Sequence, residues 1–163
     1  MEIDMKIISN ILSLFIIIAI VVFVFYGKPK EHASADISED ELGCLVENVY
    51  HEARGEDALG QAAVAYVTLN RVRSPDYPDT ICGVVWQPGQ FSWTEDGRSD
   101  HMTDLPAIEK AVDIALAVSR GKIKDPTGGA LHYYAQDKVK PRWARHGWRL
   151  ILGDHTFVKL AGR

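Results

Sequence analysis

The first long pattern along the chain is an apolar run near its N-terminal end. Residues 7–26 contain no charged residue, and a helix of this length spans roughly 30 Å, the thickness of the hydrocarbon core of a bilayer. The run also lacks the polar face that a surface helix of a globular domain carries. We therefore predict a transmembrane helix that contacts the membrane through residues 7–26, with an anchor or signal-anchor over residues 1–27 and a polar linker over residues 28–37.

The sequence is less decisive on whether this segment is cleaved off and on which way it crosses the membrane. Ala33-Ser34-Ala35 has the small-x-small pattern of a signal-peptidase site, so the alternative to a stable anchor is cleavage after Ala35. The length of the run and its content of Ile, Val and Phe favour the anchor. Lysines flank both sides of the run, so charge alone does not determine the topology.

A helix is predicted directly after the linker. Ser38, followed three residues later by Glu41, is typical of a capping box, which marks the start of a helix, and Gly55 marks its end. Apolar residues recur between these points at helical spacing, which buries one face of the helix: Leu42, Leu45, Val46, Val49 and Ala53.

Further helical patterns follow along the chain. Residues 58–72 are apolar nearly all round the helix, which predicts a central position in the core. Shorter patterns predict helices over residues 80–85 and 106–120, the second with Pro106 in its first turn.

The β structure is expected to be minor. Residues 130–135 are predicted to form a short strand, residues 86–104 are expected to be irregular, and residues 136–150 are basic and aromatic. The domain over residues 38–163 is therefore predicted to be α+β and mainly α.

Charge and cysteine content narrow the class of protein. Residues 31–163 carry a net charge of −5 with His neutral, which disfavours sequence-independent binding of nucleic acid. Cys44 and Cys82 could bond in an oxidising compartment, but two cysteines do not make a disulfide framework. Both lie in apolar surroundings, where free thiols behave as small hydrophobes. Free thiols are therefore favoured, and a bond between them is left open.

The first predicted helix ends in a carboxylate beside its buried stripe. Glu52 lies three residues after Val49 and so borders the apolar face. Partial burial favours the protonated form of a carboxylic acid, which can then act as an acid near neutral pH. Glu56 follows the break at Gly55. The alternative for both carboxylates is a solvated charge at the helix end, with Arg54 as a partner.

Other common chemistries lack their signatures. His51-Glu52 begins like a zinc-protease motif, but Gly55 stands where the second His is required. No Cys-x-x-Cys and no Gly-x-Ser-x-Gly motif occurs. The sequence therefore predicts no cofactor and no catalytic metal.

A series of short motifs, in order along residues 42–158, resembles the spore-cortex-lytic type of cell-wall hydrolase. They are Glu52-Ala53-Arg54-Gly55-Glu56, Gly60-Gln61, Asn70-Arg71, Tyr77-Pro78-Asp79-Thr80-Ile81, Gln87-Pro88-Gly89, Gln90-Phe91-Ser92, Asp125-Pro126-Thr127-Gly128-Gly129, Tyr133-Tyr134, Trp143 and Gly153-Asp154-His155-Thr156-Phe157. The resemblance implies a lysozyme-like catalytic domain that cleaves the glycan strand of peptidoglycan between N-acetylmuramic acid and N-acetylglucosamine. Members of this family act as lytic transglycosylases.

The resemblance also implies roles for particular residues. Glu52, at the end of its helix, matches the single catalytic acid of transglycosylases, a role not carried over to Glu56. The residues expected to bind substrate are Glu56, Ser92, Trp93, Tyr133, Tyr134 and Trp143. For the tryptophans the alternative is a place in the core. Ser92 stands where relatives often have Thr, and residues 93–104 match the family poorly.

Three other functions are weighed against this one, of which a wall amidase or peptidase is disfavoured by the absence of a metal-site motif. A muramidase that hydrolyses the same bond would use Glu56 or Asp57 as a second carboxylate, and a non-catalytic module would only bind the wall. In the favoured interpretation the chain is membrane-anchored, with its catalytic domain facing the periplasm or the cell exterior, or secreted if it is cleaved after Ala35. Its partner is then peptidoglycan rather than nucleic acid.

Overall fold

Helices dominate the structure, a computed structural model that describes residues 37–160. The elements follow in the order α1 (Glu39–Ala53), α2 (Ala58–Val72), α3 (Ile81–Val85), α4 (Leu105–Ser119), β1 (His132–Ala135), β2 (Gly147–Leu152) and β3 (His155–Leu160), with 3₁₀ turns at Ser92–Thr94 and Arg142–Arg145. All four predicted helices and the predicted strand are present. The expectation of a mainly helical α+β domain is confirmed.

The start of α1 forms only half of the predicted capping box. The Ser38 hydroxyl accepts a hydrogen bond from the Glu41 amide at 3.2 Å, which satisfies one free donor of the first turn. The Glu41 carboxylate turns instead to α3, where it accepts hydrogen bonds from the amides of Ile81 and Cys82. The first amides of a helix have no partner within the helix, and Glu41 supplies the missing acceptor for these two. Glu41 therefore ties α1 to α3.

A disulfide joins the same two helices. Cys44 in α1 and Cys82 in α3 are bonded, with their Cα atoms 5.3 Å apart. The expectation of free thiols is therefore wrong. The packing of α1 on α3 decides this distance, which lies in the range that a disulfide requires. A separation of 38 residues along the chain carries no such information.

α2 forms the centre of the helical core. Residues 60–69 are buried without interruption, and the helix packs against α1, α3 and α4. Ala62, Ala63 and Ala65 are fully buried, and their small side chains let neighbouring helices approach closely. The prediction of a central helix over residues 58–72 is confirmed.

The three strands form an antiparallel sheet in the order β1-β3-β2. Tyr133 pairs with Phe157, and Phe157 packs against α2, so we call this the inner face of the sheet. Tyr134, Thr156 and Ile151 are paired across the three strands one position further along. Because successive side chains of a strand point to opposite faces, these three lie on the outer face.

Strands β2 and β3 were not predicted from the sequence. β2 lies in the basic, aromatic segment, and its exposed residues include Arg149 and Ile151, so polar and apolar residues do not alternate cleanly along it. β3 is the middle strand, and residues 155–158 are all buried. A strand covered on both faces loses the alternation by which a half-buried strand is found.

The predicted membrane segment at residues 7–26 and most of the linker lie outside the residues that the structure describes. Among residues 37–160, no helix has the length and apolar character needed to cross a bilayer.

Candidate active site

A groove with a volume of about 1040 Å³ opens beside the C-terminal end of α1. Five of the seven predicted site residues lie on its lining, and Glu56 and Trp143 do not. The lining is rich in charged and aromatic side chains and includes Tyr50, His51, Glu52, Arg54, Arg71, Gln90, Ser92, Trp93, Glu95, Asp96, Arg98, Asp100, His101, Tyr133, Tyr134, Lys138 and His155. These residues come from α1, the end of α2, the irregular segment before α4, β1 with the segment after it, and the start of β3, so the groove is a product of the whole fold.

Glu52 occupies the last turn of α1 and is half-buried. The buried stripe of α1, which ends at Ala53, holds this turn at the border between core and groove. The Tyr133 hydroxyl donates a hydrogen bond to Glu52 Oε2 at 2.7 Å. Within the described part of the chain, Oε1 has no hydrogen-bond partner. One carboxyl oxygen is therefore held by the protein, and the other is left for a ligand.

Tyr133 is kept in its protonated form. Burial raises the pKa of Tyr133 well above its usual value, and the charge of Glu52 and its hydrogen bond raise that pKa further, against an opposing effect of Arg71. The ring of Tyr133 packs edge-on against His155 at 5.1 Å between centroids, and it lies 5.5 Å from Phe157. The phenol is thus a fixed donor towards the carboxyl group of Glu52.

Arg71 lines the groove, although it was quoted from the sequence only as part of a motif and was not predicted as a site residue. Only 5% of its surface is exposed, its Nε donates to the carbonyl of Leu131 at 2.9 Å, and its guanidinium carbon lies 5.2 Å and 5.1 Å from the ring centroids of Tyr77 and Phe91. Burial lowers the pKa of Arg71, while nearby groups that include Glu52 oppose this. Among the described residues its Nη1 has no hydrogen-bond partner. A buried positive charge therefore lies behind the Glu52–Tyr133 pair.

Glu56 holds the turn between β2 and β3 instead of facing the groove. Its Oε1 accepts a hydrogen bond from the Asp154 amide at 3.0 Å and lies 3.2 Å from His155 Nδ1, an ion-pair distance without hydrogen-bond alignment. A Cβ atom at Gly153 would come within 1.6 Å of Glu56 Oε2. Since His155 packs against Tyr133, Glu56 supports the groove from behind.

Trp93 is mostly buried in the core, although it also belongs to the groove lining. It is 7% exposed, and its indole N–H donates to Asn48 Oδ1 at 3.1 Å. The His51 ring stacks on it at 4.4 Å, with 18° between the planes. The burial of Trp93 supports the core alternative, and the ring that stacks on it is that of His51.

Of the three remaining predicted site residues, two lie on the groove lining and one lies outside the groove. Ser92 is exposed on the groove lining. Tyr134 lies at the edge of the groove, on the outer face of the sheet. Trp143 lies beyond Tyr134, 6.1 Å away between ring centroids and half-exposed. Ser92 and Tyr134 can therefore reach a ligand in the groove, whereas Trp143 lies outside it.

A sequence profile of the Cell Wall Hydrolase family matches residues 55–158. The matched stretch contains most of the groove lining but begins three residues after Glu52.

Curated relatives cover more of the chain. A spore cortex-lytic enzyme of Bacillus cereus is 37% identical over 138 residues, which are 82% of this chain and 51% of that protein. A spore cortex-lytic enzyme of Bacillus subtilis is 35% identical over 123 residues, which are 75% of this chain and 38% of that protein. The chain thus spans about half the length of the curated relatives it matches, or less.

Two solved structures resemble the domain. One is the catalytic domain of the germination-specific lytic transglycosylase SleB from Bacillus anthracis, with 36% identity and a TM-score of 0.62, covering 77% of this chain and 98% of that one. The other is the catalytic domain of the Bacillus cereus SleB protein, with 31% identity and a TM-score of 0.62, covering 80% of this chain and all of that one. The likeness therefore extends over the full length of both solved domains.

Proposed function

This chain belongs to the cell wall hydrolase family, and from that premise we propose that its folded domain cleaves the glycan strands of peptidoglycan. The bond broken is the β-1,4 bond between N-acetylmuramic acid and N-acetylglucosamine, and the chain acts as a lytic transglycosylase. The observation that carries the proposal is the carboxyl group of Glu52, which lies in the groove with one oxygen bonded to Tyr133 and the other unpartnered among the described residues. Likeness to a catalytic domain described as a lytic transglycosylase supports the same reaction.

One carboxyl group suffices for this reaction. Protonated Glu52 gives its proton to the glycosidic oxygen as the bond to C1 of the muramic residue breaks. The resulting carboxylate then takes the proton from the C6 hydroxyl of the same residue while that oxygen attacks C1. A 1,6-anhydro end forms and no water is consumed. Because the attacking hydroxyl belongs to the bound sugar, proximity favours this step.

Tyr133 orients the acid in both halves of the reaction. Its hydroxyl donates to Oε2, so the proton that moves is carried on Oε1. After transfer, the same hydrogen bond stabilises the carboxylate, since charge-assisted bonds are stronger than neutral ones. The phenol can do this because burial raises the pKa of Tyr133 and keeps its proton in place.

Polar groups around the acid suit a reaction in which positive charge develops on the sugar. The hydroxyls of Ser92 and Tyr134 lie on the groove lining, and oriented dipoles near a developing charge lower the barrier. We assign these two hydroxyls to substrate binding beside Glu52.

The hydrolysing alternative is less well supported. It requires a second carboxylate as base. The groove lining holds three other acidic residues, Glu95, Asp96 and Asp100, but the two candidates taken from the sequence have other partners. Asp57 Oδ1 accepts a hydrogen bond from the Gly60 amide at 2.8 Å, which caps α2. Glu56 is bound to the β2–β3 turn.

We also propose that the domain acts outside the cytoplasm, tethered through residues 7–26. The apolar run supports the tether, and the Cys44–Cys82 disulfide supports an oxidising compartment. The redox state of the cysteine pair in cells tests this proposal.

Digestion of purified peptidoglycan by the full-length chain tests the reaction. Replacing Glu52 with Gln removes the transferable proton and should lower the rate by about a hundredfold or more, the usual contribution of a general acid–base group. Mass spectrometry of the products should find anhydro ends, one water lighter than the reducing ends that hydrolysis leaves.

The matched control is Glu47→Gln, a substitution of the same kind on α1 at a residue that does not line the groove. It should digest at the wild-type rate. Reducing ends alone would indicate hydrolysis, and an E52Q variant with wild-type activity in cells would support the non-catalytic binding module.

A further inference from the structure

A second cavity lies on the outer face of the sheet. Its volume is about 870 Å³. Tyr134, Arg149 and Thr156 line it from the strands. Lys140, Arg145 and one acidic residue, Asp137, line it from the segment that crosses this face, so three basic residues face one acidic residue. Nothing in the mechanism above uses these basic residues. We call this cavity the basic cleft.

The basic cleft concentrates positive charge in an acidic protein. Residues 136–149 contain five basic residues against one acidic residue, Asp137, whereas the whole chain has a net charge of −4. Lys140, Arg145 and Arg149 are exposed. Within residues 37–160, none of these three forms an ion pair with a carboxylate or donates a side-chain hydrogen bond. Unpaired cations along one concave surface attract anions from solution.

The basic cleft adjoins the groove that holds Glu52. Tyr134 lines both cavities. Lys138, from the same basic segment, lines the groove. A polymer bound across Glu52 can therefore place a side branch in the basic cleft without leaving the surface.

We propose that the basic cleft binds the carboxylate groups of the peptide branches carried by the strand being cleaved. This inference rests on the proposed function. The branches leave the strand at the muramic residues, next to the bond that Glu52 would protonate, so a carboxylate reaches the adjoining cavity at little cost in chain ordering. Guanidinium groups suit carboxylates because their paired N–H donors match the two oxygens. A phosphate polymer linked to the strand through the C6 hydroxyl of a muramic residue would remove the nucleophile of the proposed reaction. The muramic residue being cleaved can therefore carry a peptide but not such a polymer.

The experiment compares two substrates and two charge variants of the full-length chain in a non-ionic detergent. One substrate is purified strands that keep their peptides, and the other is strands stripped by an amidase. The variant is Arg145→Gln with Arg149→Gln. The control is Arg120→Gln, a removal of positive charge at an exposed residue that lines neither cavity.

For the double variant we expect KM on peptide-bearing strands to rise about threefold to tenfold, the size typical of two exposed ion pairs, with kcat unchanged. Stripped strands should show no difference. Salt at about 0.5 M should remove the effect, because it screens exposed charges. Cosedimentation with insoluble peptide-bearing and stripped walls measures the same preference without cleavage.

Each contrary result has a distinct meaning. A wild-type KM and wild-type cosedimentation in the double variant overturn the basic cleft as a peptide site and leave the proposed function standing. An equal loss on both substrates overturns it as well, because the damage is then general. Binding that depends on attached phosphate polymers, and not on peptides, replaces the proposed ligand. Full activity of the E52Q variant would overturn the proposed function. Cosedimentation with peptide-bearing and stripped walls would still test the basic cleft as a peptide site.

Discussion

At the scale of single residues, Glu52 and Tyr133 form one acid–base unit although 81 positions separate them. The carboxyl group comes from the end of a helix and the phenol from a strand. Neither is unusual by itself, because glutamates at helix ends are mostly solvated and tyrosines in strands mostly pack. Their hydrogen bond gives the carboxyl group one bound oxygen and one oxygen with no partner among the described residues.

Removing the hydrogen bond between Tyr133 and Glu52 should slow catalysis. Tyr133→Phe keeps the ring and deletes the hydroxyl. We expect kcat on peptidoglycan to fall about 10- to 100-fold, since a hydrogen bond to a charged group contributes about 1.5–3 kcal/mol, with little change in KM. Burial raises the pKa of Tyr133, so the hydroxyl stays protonated up to and beyond pH 10. The ratio of wild-type to variant kcat should therefore be constant from pH 5 to about pH 9.

Tyr66→Phe is the control for this substitution. It deletes a hydroxyl that bonds to the Ile123 carbonyl, at a residue that does not line the groove. The folded variant should keep the wild-type kcat. A Tyr133→Phe enzyme as fast as the wild type, or a ratio that decays between pH 7 and pH 9, would contradict the assigned role.

The position of Arg71 in the sequence contains a signal that could have marked it as a site residue. It is a cation on a helix that is otherwise apolar nearly all round. Because burying an unpaired charge is costly, a basic residue in such a helix must find compensating partners. In this protein these are the Leu131 carbonyl and the faces of Tyr77 and Phe91.

At the scale of elements, the β2–β3 hairpin depends on contact with the loop after α1. Glu56 bonds to its turn, and Gly153 in that turn has φ of +55° and almost no space for a side chain. The hairpin also carries His155, which packs on Tyr133. The position of the turn therefore affects the geometry of the acid.

Gly153→Ala should disturb this contact. A left-handed backbone costs a non-glycine residue roughly 1–2 kcal/mol, and the added Cβ would also displace Glu56. We expect the free energy of unfolding, measured by urea denaturation, to fall by about 3 kcal/mol in total. The rate of peptidoglycan cleavage should fall too.

Gly121→Ala separates the cost of the left-handed backbone from the cost of displacing Glu56. Gly121 ends α4 with φ of +67° and has no atom near the position of a new Cβ. This variant should lose only the backbone cost, roughly 1–2 kcal/mol, and keep its activity. Equal losses of stability in the two variants would show that the Glu56 contact contributes nothing.

At the scale of the whole chain, the cellular compartment of the domain is linked to the redox state of its two cysteines. The Cys44–Cys82 bond joins two helices of the domain, and such bonds persist in oxidising compartments. We expect lysates of cells expressing the full chain, trapped in acid, to show no labelling of cysteine by a maleimide polymer. Two labels should appear after reduction, since the chain has two cysteines.

A chain that lacks residues 1–30 is the control for export. It should stay in the cytoplasm and take two labels without reduction. If the full chain were labelled at both cysteines without reduction, the domain would lie in a reducing compartment and the proposed localisation would be wrong.

The local pattern of the sequence determined the helices of this protein. Helical spacing and caps placed α1 from Ser38 and α2 over residues 58–72. The same spacing put Glu52 at the edge of the buried stripe. These features depend on residues three or four positions apart, and such short-range relations are written directly in the chain.

Only the tertiary structure decided which partner each of these residues meets. It brought Tyr133 to Glu52, moved Glu56 from the groove to the β2–β3 turn, buried Trp93 under His51 and joined Cys44 to Cys82. These contacts join residues 38 to 98 positions apart. Their geometry follows from how helices and sheet pack as solid bodies, and the spacing of residues along one element does not encode it.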